Sequence, residues 1–387
     1  MKVLSVHNHY QQFGGEDKVF SSETALLESR GHQVVRFTVS NDQASDLGPL
    51  DLAKATIWND HIYQELRTLV RKEQPDVAHF YNTFLLVSPA AYHAVKEEGV
   101  PVVQALQNYR LLCPNRGYLF RENKICEECI GKFVPWPGVV HGCYRGSRPQ
   151  TAVVAAMLSF HRTIRTYQDK IDLFIPTIEF VKEKHIEGGF PPEKMMVKPN
   201  FLDPDPGLGS GEGDFVLFVG RLTEEKGVLT LLKAWESLGQ RIPLKILGDG
   251  PLSEYTQQVA RRNSGVEYLG FKSAQEIYEL MGQARALVCP SEWYEPFGLV
   301  IIEAYAKGTP VIAANQGSMK TLIEHQRTGL HFDPGQADKL VEQVEWMLAH
   351  PSEWQKMRRA VRSEFEQKYT AEQNYQRLIH IYQSAIR

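Results

Sequence analysis

No run of the sequence is apolar for long enough to cross a bilayer, and the opening MKVLSVHNHY reaches His7 and Asn8 before a secretory signal could build its apolar core. The expected compartment is therefore cytoplasmic. Basic residues are in slight deficit, 43 Lys and Arg against 46 Asp and Glu, so the electrostatic footprint of a nucleic-acid binder is missing. No short-period repeat recurs, which excludes a solenoid or propeller. The glycine-rich fingerprint G-x-G-x-x-G follows neither the first strand nor the strand that opens the second half, which argues against a dinucleotide-dependent oxidoreductase. Cysteine is scarce, five in 387 residues, and four of the five fall in one stretch. What remains is 43% hydrophobic and 23% charged, the composition of a folded enzyme-sized chain with room for two cores. One helical segment, Thr151 to Lys170, mixes apolar residues with His161, Arg162 and Arg165 and leaves peripheral membrane contact open.

Short apolar runs alternate with helical patterns along most of the chain. Val3–Val6, a polar loop with Gly14-Gly15, a helix around Phe20 to Leu27 and Val34–Val39 make a βαβ unit. Tyr63–Lys72 and Ser88–Glu98 read as helices, and Val77–Phe80, Val100–Ala105 and Asp172–Ile175 as strands. A linker by composition, Asp203 to Gly213, precedes a second series that begins with the strand Phe215–Val219. The fold class expected is α/β, with two doubly wound Rossmann-like domains facing across a cleft.

The second series is organised around Arg285 to Pro310, which reads as strand (Ala286–Cys289), turn-rich loop (Pro290–Pro296) and buried helix (Phe297–Ala306). The free N–H groups at that helix start are a natural seat for phosphate or sugar oxygens. Glu295 precedes the helix. Glu303 lies among apolar residues, where a charge needs a polar partner, unless it reaches water or a structural arginine. Upstream, Gly220 to Gly227 places Arg221 and Lys226 on one strand-to-helix loop, where both can converge on a diphosphate, or else pair with Glu224 and Glu225.

Between Tyr109 and Arg148 the alternation stops, and Cys, Gly and Pro dominate. Cys113, Cys126, Cys129 and Cys143 there have the spacing C-x12-C-x2-C-x13-C, which suits a structural zinc held by four thiolates; four unligated thiols are the other reading. Cys289, alone in an apolar strand, reads as core packing.

The combination GRLTEEKG, ILGDGP, EPFGLVIIE and GTPVIAA, with FGGED and RGH in the first half, resembles the retaining nucleotide-sugar-dependent glycosyltransferases of family 4, of the group 1 type and GT-B fold. That resemblance implies an acceptor-side domain over residues 1–203 with the insertion 109–148, a donor-binding domain over 204–370, and a last helix, 371–387, returning to the first domain. It implies that Arg221 and Lys226 hold the donor diphosphate, that Glu303 accepts from the ribose hydroxyls, and that Glu295 meets hydroxyls of the transferred sugar. Backbone N–H groups of Phe297, Gly298 and Leu299 would contact sugar and phosphate, Gly14 and Gly15 would close over the diphosphate, and Gly270 and Phe271 would border the base. The implied reaction moves the sugar to an acceptor hydroxyl of a glycan, lipid or small molecule, with retention and without a catalytic metal. Where relatives commonly carry a histidine under the donor sugar, this sequence has Gln107, which hydrogen-bonds but carries no proton near neutral pH. The competing class is a non-catalytic nucleotide-sugar or glycan binder whose cysteine module recruits a partner.

Overall fold

The computed structural model describes residues 1–115 and 117–387. The chain divides into two compact units, Met1–Leu119 with Cys126–Asn200 and Asn374–Arg387, and Phe120–Ile125 with Phe201–Gln373. In chain order the first unit's elements are β1 (Lys2–His9), α1 (Gly15–Ser29), β2 (Gln33–Ser40), α2 (Pro49–Ile57), α3 (Asp60–Glu73), β3 (Val77–Phe80), α4 (Ala90–Lys96) and β4 (Val102–Leu106). A hairpin of two-residue strands that belongs to the second unit, β5 (Phe120–Arg121) and β6 (Lys124–Ile125), comes next in the chain, after which the first unit continues with α5 (Trp136–His141), α6 (Arg148–Thr163), α7 (Thr166–Asp169), β7 (Leu173–Pro176) and α8 (Glu179–Glu187). The second unit holds β8 (Val216–Val219), α9 (Val228–Leu238), β9 (Leu244–Leu247), α10 (Ser253–Arg262), β10 (Val266–Gly270), α11 (Ala274–Gln283), β11 (Ala286–Cys289) and α12 (Leu299–Ala306). It closes with β12 (Val311–Ala314), α13 (Gly317–Leu322), β13 (Gly329–Phe332), α14 (Ala337–Ala349) and α15 (Pro351–Lys368), and α16 (Ala371–Ile386) ends the chain.

The first sheet runs β2-β1-β3-β4-β7 and all its pairings are parallel. β1 is buried at six of its eight positions, as a central parallel strand covered on both faces must be. Its register places Lys2 beside Gln33 through His9 beside Ser40 on one side, and Val3 beside Val77 through Val6 beside Phe80 on the other. The core joins Val3, Leu27, Val77 and Val103 to Leu378, Ile381 and Tyr382 of α16. Two polar groups accompany α16: Asn374 donates to the Pro199 carbonyl at 3.2 Å, and the Tyr382 hydroxyl meets His79 Nδ1 at 2.8 Å. Beneath them Lys198 and Glu23, 2% and 1% exposed, form a hydrogen-bonded ion pair, which Tyr81 completes by donating to Glu23 Oε2 at 3.0 Å.

The second sheet runs β10-β9-β8-β11-β12-β13, again parallel. Strand order reverses at β8, between β9 and β11, which makes the loops after β8 and β11 the flanks of a topological switch point, where doubly wound sheets bind ligands. Its core packs Val216, Phe218, Ile246 and Val288 against Leu231, Trp235, Leu340 and Trp354.

The structure revises two readings. The helix expected over Thr151 to Lys170 is two, α6 and α7, broken where Arg165 takes a left-handed φ of 56°. The insertion is not free of regular structure, since the β5–β6 hairpin and α5 lie within it.

Candidate functional site

In the second unit the loop after β8 ends in a single 3-10 turn, Glu224–Lys226, that hands over to α9 through Gly227 in the left-handed region. Glycine is obligatory there. With φ at 71°, an added Cβ would lie 1.9 Å from the Pro290 carbonyl oxygen, so the loops after β8 and β11 touch through backbone at this point. A further backbone bond, Glu292 N–H to the Glu225 carbonyl at 2.8 Å, and a side-chain bond from Thr230 to Glu292 at 2.6 Å lock the two loops together.

This seam brings Lys226 and Glu295 into contact. The Lys226 ammonium donates to Glu295 Oε1, and the same oxygen accepts from Ser291 Oγ at 2.9 Å and Trp293 Nε1 at 3.1 Å. Glu295 is thus a largely buried carboxylate with three donors on one oxygen, and its negative charge is compensated locally. Lys226 keeps 28% of its side chain exposed, and its Nζ also lies 5.5 Å from the centre of the Trp293 ring. Arg221, on the same loop, is exposed. Past Glu295, Phe297 is buried and Gly298, at φ 86°, caps α12, so Leu299 opens the helix and Glu303 comes one turn later, half-buried. Gly270 ends β10 in a left-handed conformation, and Phe271 after it is 82% exposed, a large apolar ring held in water. Cys289, at the end of β11, is buried, and burial pushes its thiol up to about 12, with Glu295 adding to the shift. It is an inert core thiol.

At the carboxyl end of β1 the first unit assembles a polar cluster that the sequence argument missed. His7 and His9, two apart on the strand, share one face and both reach Asp17 in the first turn of α1: Nε2 of His7 lies 2.9 Å and Nδ1 of His9 3.0 Å from Asp17 Oδ1. The other oxygen, Oδ2, accepts the Gly14 N–H at 2.9 Å. Burial opposes ionisation of Asp17, but the bonds from His7, Gly14 and His9 outweigh it and hold the carboxyl below its ordinary pKa. Burial also holds His7 below the usual histidine range. Three donor atoms within 4.8 Å of one another could in principle take a metal ion. His7 Nδ1, however, is buried with no hydrogen-bond partner, whereas a ligating histidine needs its other nitrogen to donate. The set fits a carboxylate that orders the Gly14-Gly15 loop better than it fits a metal centre.

Glu16 sits one residue earlier. Its carboxylate accepts from Asn108 Nδ2 at 2.6 Å and Tyr10 OH at 3.1 Å, and burial, with a smaller contribution from Asp17, raises its pKa to about 6. Gln107, just past β4, forms a reciprocal amide pair with Asn200, both bonds 3.0 Å. Gly14 has φ −136°, open to any residue, and an added Cβ would meet nothing nearer than Asp17 Oδ2 at 3.8 Å, so neither conformation nor packing calls for glycine there. The signals were present in the sequence: a His-x-His at a strand end and an acidic pair directly after a Gly-Gly turn.

The expected four-thiol zinc set is not assembled. Cys113 and Cys129 share a hydrogen bond that lowers Cys129 to about 7 and raises Cys113 far above the ordinary thiol value, and Cys143 adds an electrostatic contribution at Cys113. Among the described residues no three of these sulfurs lie within 4.8 Å of one another. Cys126 is drawn off by the base of the β5–β6 hairpin, where its N–H donates to the Leu119 carbonyl at 3.1 Å. The spacing yields a buried dithiol rather than a tetrahedral cage.

Residues 205–364 match the family model of the glycosyl transferases group 1. An uncharacterized glycosyltransferase of Methanocaldococcus jannaschii is 34% identical over 144 residues, 36% of this chain and 36% of that protein. A glycogen synthase of Mycobacterium tuberculosis is 34% identical over 153 residues, 38% of this chain and 37% of that protein. The chain thus aligns with little more than a third of the length of these relatives. Among solved structures, HepE of Anabaena in complex with UDP superposes with a TM-score of 0.71 at 18% identity, over 99% of this chain and 100% of that one. Within the second unit, residues 205–364 are thus similar to the glycosyl transferases group 1, in a chain whose two Rossmann-like units have the GT-B fold.

Proposed function

We propose that the protein transfers a sugar from a nucleoside diphosphate sugar to an acceptor hydroxyl with retention at the anomeric carbon, and that the donor is UDP-linked. The observation that carries this reading is the seam between the loops after β8 and β11, where Lys226 is held against Glu295 beside the start of α12. An ammonium parked on a carboxylate at a topological switch point can be passed to an incoming phosphate without crossing solvent. HepE of Anabaena, of the same fold, has been solved with UDP and with UDP-glucose, and this favours UDP as the first donor to test.

In this reading Arg221 and Lys226 neutralise the leaving diphosphate, and the free N–H groups from Phe297 to Leu299 add the positive end of the helix dipole. Glu303 accepts from the ribose hydroxyls, and Phe271 with Gly270 borders the base. Glu295, released by Lys226, turns its carboxylate to hydroxyls of the sugar. The bond from the anomeric carbon to the diphosphate breaks, the acceptor oxygen bonds to that carbon from the same face, and the acceptor proton passes to the departing phosphate oxygen. No enzymic nucleophile on the far face and no divalent ion is required. Calorimetry with UDP, followed by turnover with a panel of nucleotide sugars and simple glycoside acceptors, tests the reading. UDP binding with sugar transfer or donor hydrolysis is expected; a protein that binds no nucleoside diphosphate would overturn it.

A further inference from the structure

The sequence leaves membrane contact to the helix between Thr151 and Lys170, but α6 turns Val154, Ala155, Met157 and Leu158 into the protein. Its apolar face is already used. The loop and short helix before it behave in the opposite way: Phe133, Val134, Trp136 and Val140 are 57%, 47%, 56% and 49% exposed, and Phe160 of α6 adds another 40%. Scattered exposed apolar residues are ordinary, but these five belong to one place. Phe133's carbonyl is held by Arg162 Nη1 at 2.9 Å and Ser159 Oγ at 3.5 Å, from the turn of α6 that carries Phe160. The underside of the ridge is fixed as well, with Pro135, Pro137 and Gly138 buried, and an added Cβ on Gly138 would fall 2.4 Å from Pro114 Cγ. A rigid backbone thus projects two aromatic rings and two valines outward.

Charge selects the partner. From Cys129 to Arg165 there is no aspartate or glutamate, while Lys132, Arg145, Arg148, Arg162 and Arg165 are all basic, in a chain whose formal net charge is -3. Besides Arg162, two of these cations touch the ridge itself: Lys132 Nζ stands 5.9 Å from the centre of the Trp136 ring, and Arg148 Nε donates to the Val140 carbonyl at 2.9 Å. The acids that flank this stretch in sequence are paired, Glu127 with Lys184 at 2.8 Å, Glu128 beside His141 at 3.7 Å, and Asp169 with Arg165 at 3.1 Å. Tryptophan and phenylalanine flanked by lysine and arginine, with no acid among them, form the pattern that enters the headgroup region of an anionic bilayer. We propose that this ridge docks the first unit on an anionic lipid surface. Being built from a short helix and a loop, it gives a reversible foothold rather than an anchor.

Vesicle sedimentation with the full chain tests this, comparing pure phosphatidylcholine with vesicles enriched in phosphatidylglycerol. The wild type is expected to partition at least about tenfold more strongly onto the anionic vesicles and to be released by high salt. Phe133→Ser with Trp136→Ser, and separately Lys132→Glu with Arg148→Glu, should each lower that partition about tenfold or more. Leu50→Ser, which alters a residue 78% exposed on α2, should leave it unchanged. Circular dichroism and retained UDP affinity establish that the variants are folded. Absence of vesicle binding by the wild type, equal binding to both lipids, or binding indifferent to both double substitutions would overturn the proposal. So would self-association without lipid that the ridge substitutions abolish, since the face would then be an interface between copies.

Discussion

Replacing Glu16 by Gln should change how stability depends on pH, in a direction set by the surroundings of this one carboxyl. Burial raises its pKa from the ordinary 4.5 to about 6, although Asn108 and Tyr10 both donate to it. Between those two values the folded protein keeps a proton that the unfolded chain has released. Stability contributed by Glu16 is therefore complete below pH 4.5 and lost as pH rises through about 6. The raised pKa corresponds to about 2 kcal/mol, on the scale of 1.36 kcal/mol per unit. Glutamine does not titrate, yet its amide can accept from Asn108 and donate to the Tyr10 hydroxyl. The unfolding free energy of the Gln variant minus that of the wild type should rise by about 2 kcal/mol between pH 4 and pH 7.5. Subtracting the two curves cancels the histidines and other carboxylates that titrate in the same window. Urea unfolding, followed by fluorescence at several pH values, supplies both curves. A difference that stays flat across the window, or falls, would refute the argument. A residue kept at such a cost beside the Gly14-Gly15 loop is one whose removal should also depress transfer activity.

Lys226→Met should weaken UDP binding by about 1.5–3 kcal/mol, whereas Glu295→Gln, which removes only negative charge beside that cation, should hold or tighten UDP while slowing transfer. Equal losses in both variants by calorimetry would contradict the handover of Lys226 from Glu295 to phosphate. Lys198→Met leaves Glu23 charged at 1% exposure and should cost about 3–5 kcal/mol in urea unfolding, with Glu23→Gln and Lys198→Met together costing less than half of that. Gly227→Ala forces a Cβ to 1.9 Å from Pro290 O at φ 71° and should cost more than about 2 kcal/mol, against less than about 1 kcal/mol for Gly14→Ala. Gln107→His should remain active, while Gln107→Ala, which breaks the amide pair with Asn200, should raise KM or shift the donor profile; an unaltered profile in both removes Gln107 from the sugar site.

What was legible in the sequence was what short-range patterning controls. Apolar runs of four or five residues such as Val77–Phe80 and Ala286–Cys289 are strands in the structure, and the turn-rich stretch before α12 is the loop they suggest. Glu295 and Lys226 stand together as their placement after two neighbouring strands allows. What escaped was long-range or of short extent. Glu23 and Lys198 meet across 175 positions, and neither carries a local mark of it. The two-residue strands of the hairpin are too brief to show a period. Cysteine spacing states which thiols are near in the chain but not how far apart their sulfurs lie, and so a four-thiol cage was expected where a dithiol forms. His7, His9 and Asp17 had a readable periodicity, but their convergence depends on how α1 returns over β1.

The first unit is interrupted in the chain: it leaves off at Asn200 and resumes at Asn374. Leu378, Ile381 and Tyr382 of α16 belong to the same core as Val3, Leu27 and Val77. On a ribosome adding about 5–20 residues per second, those early strands wait roughly 15–75 s for the helix that covers them. The part made first is thus the part completed last, and until then it presents an open apolar surface that the cell must shield. A nonsense or frameshift mutation just before α16 would spare the core of the second unit and injure the opposite end of the sequence.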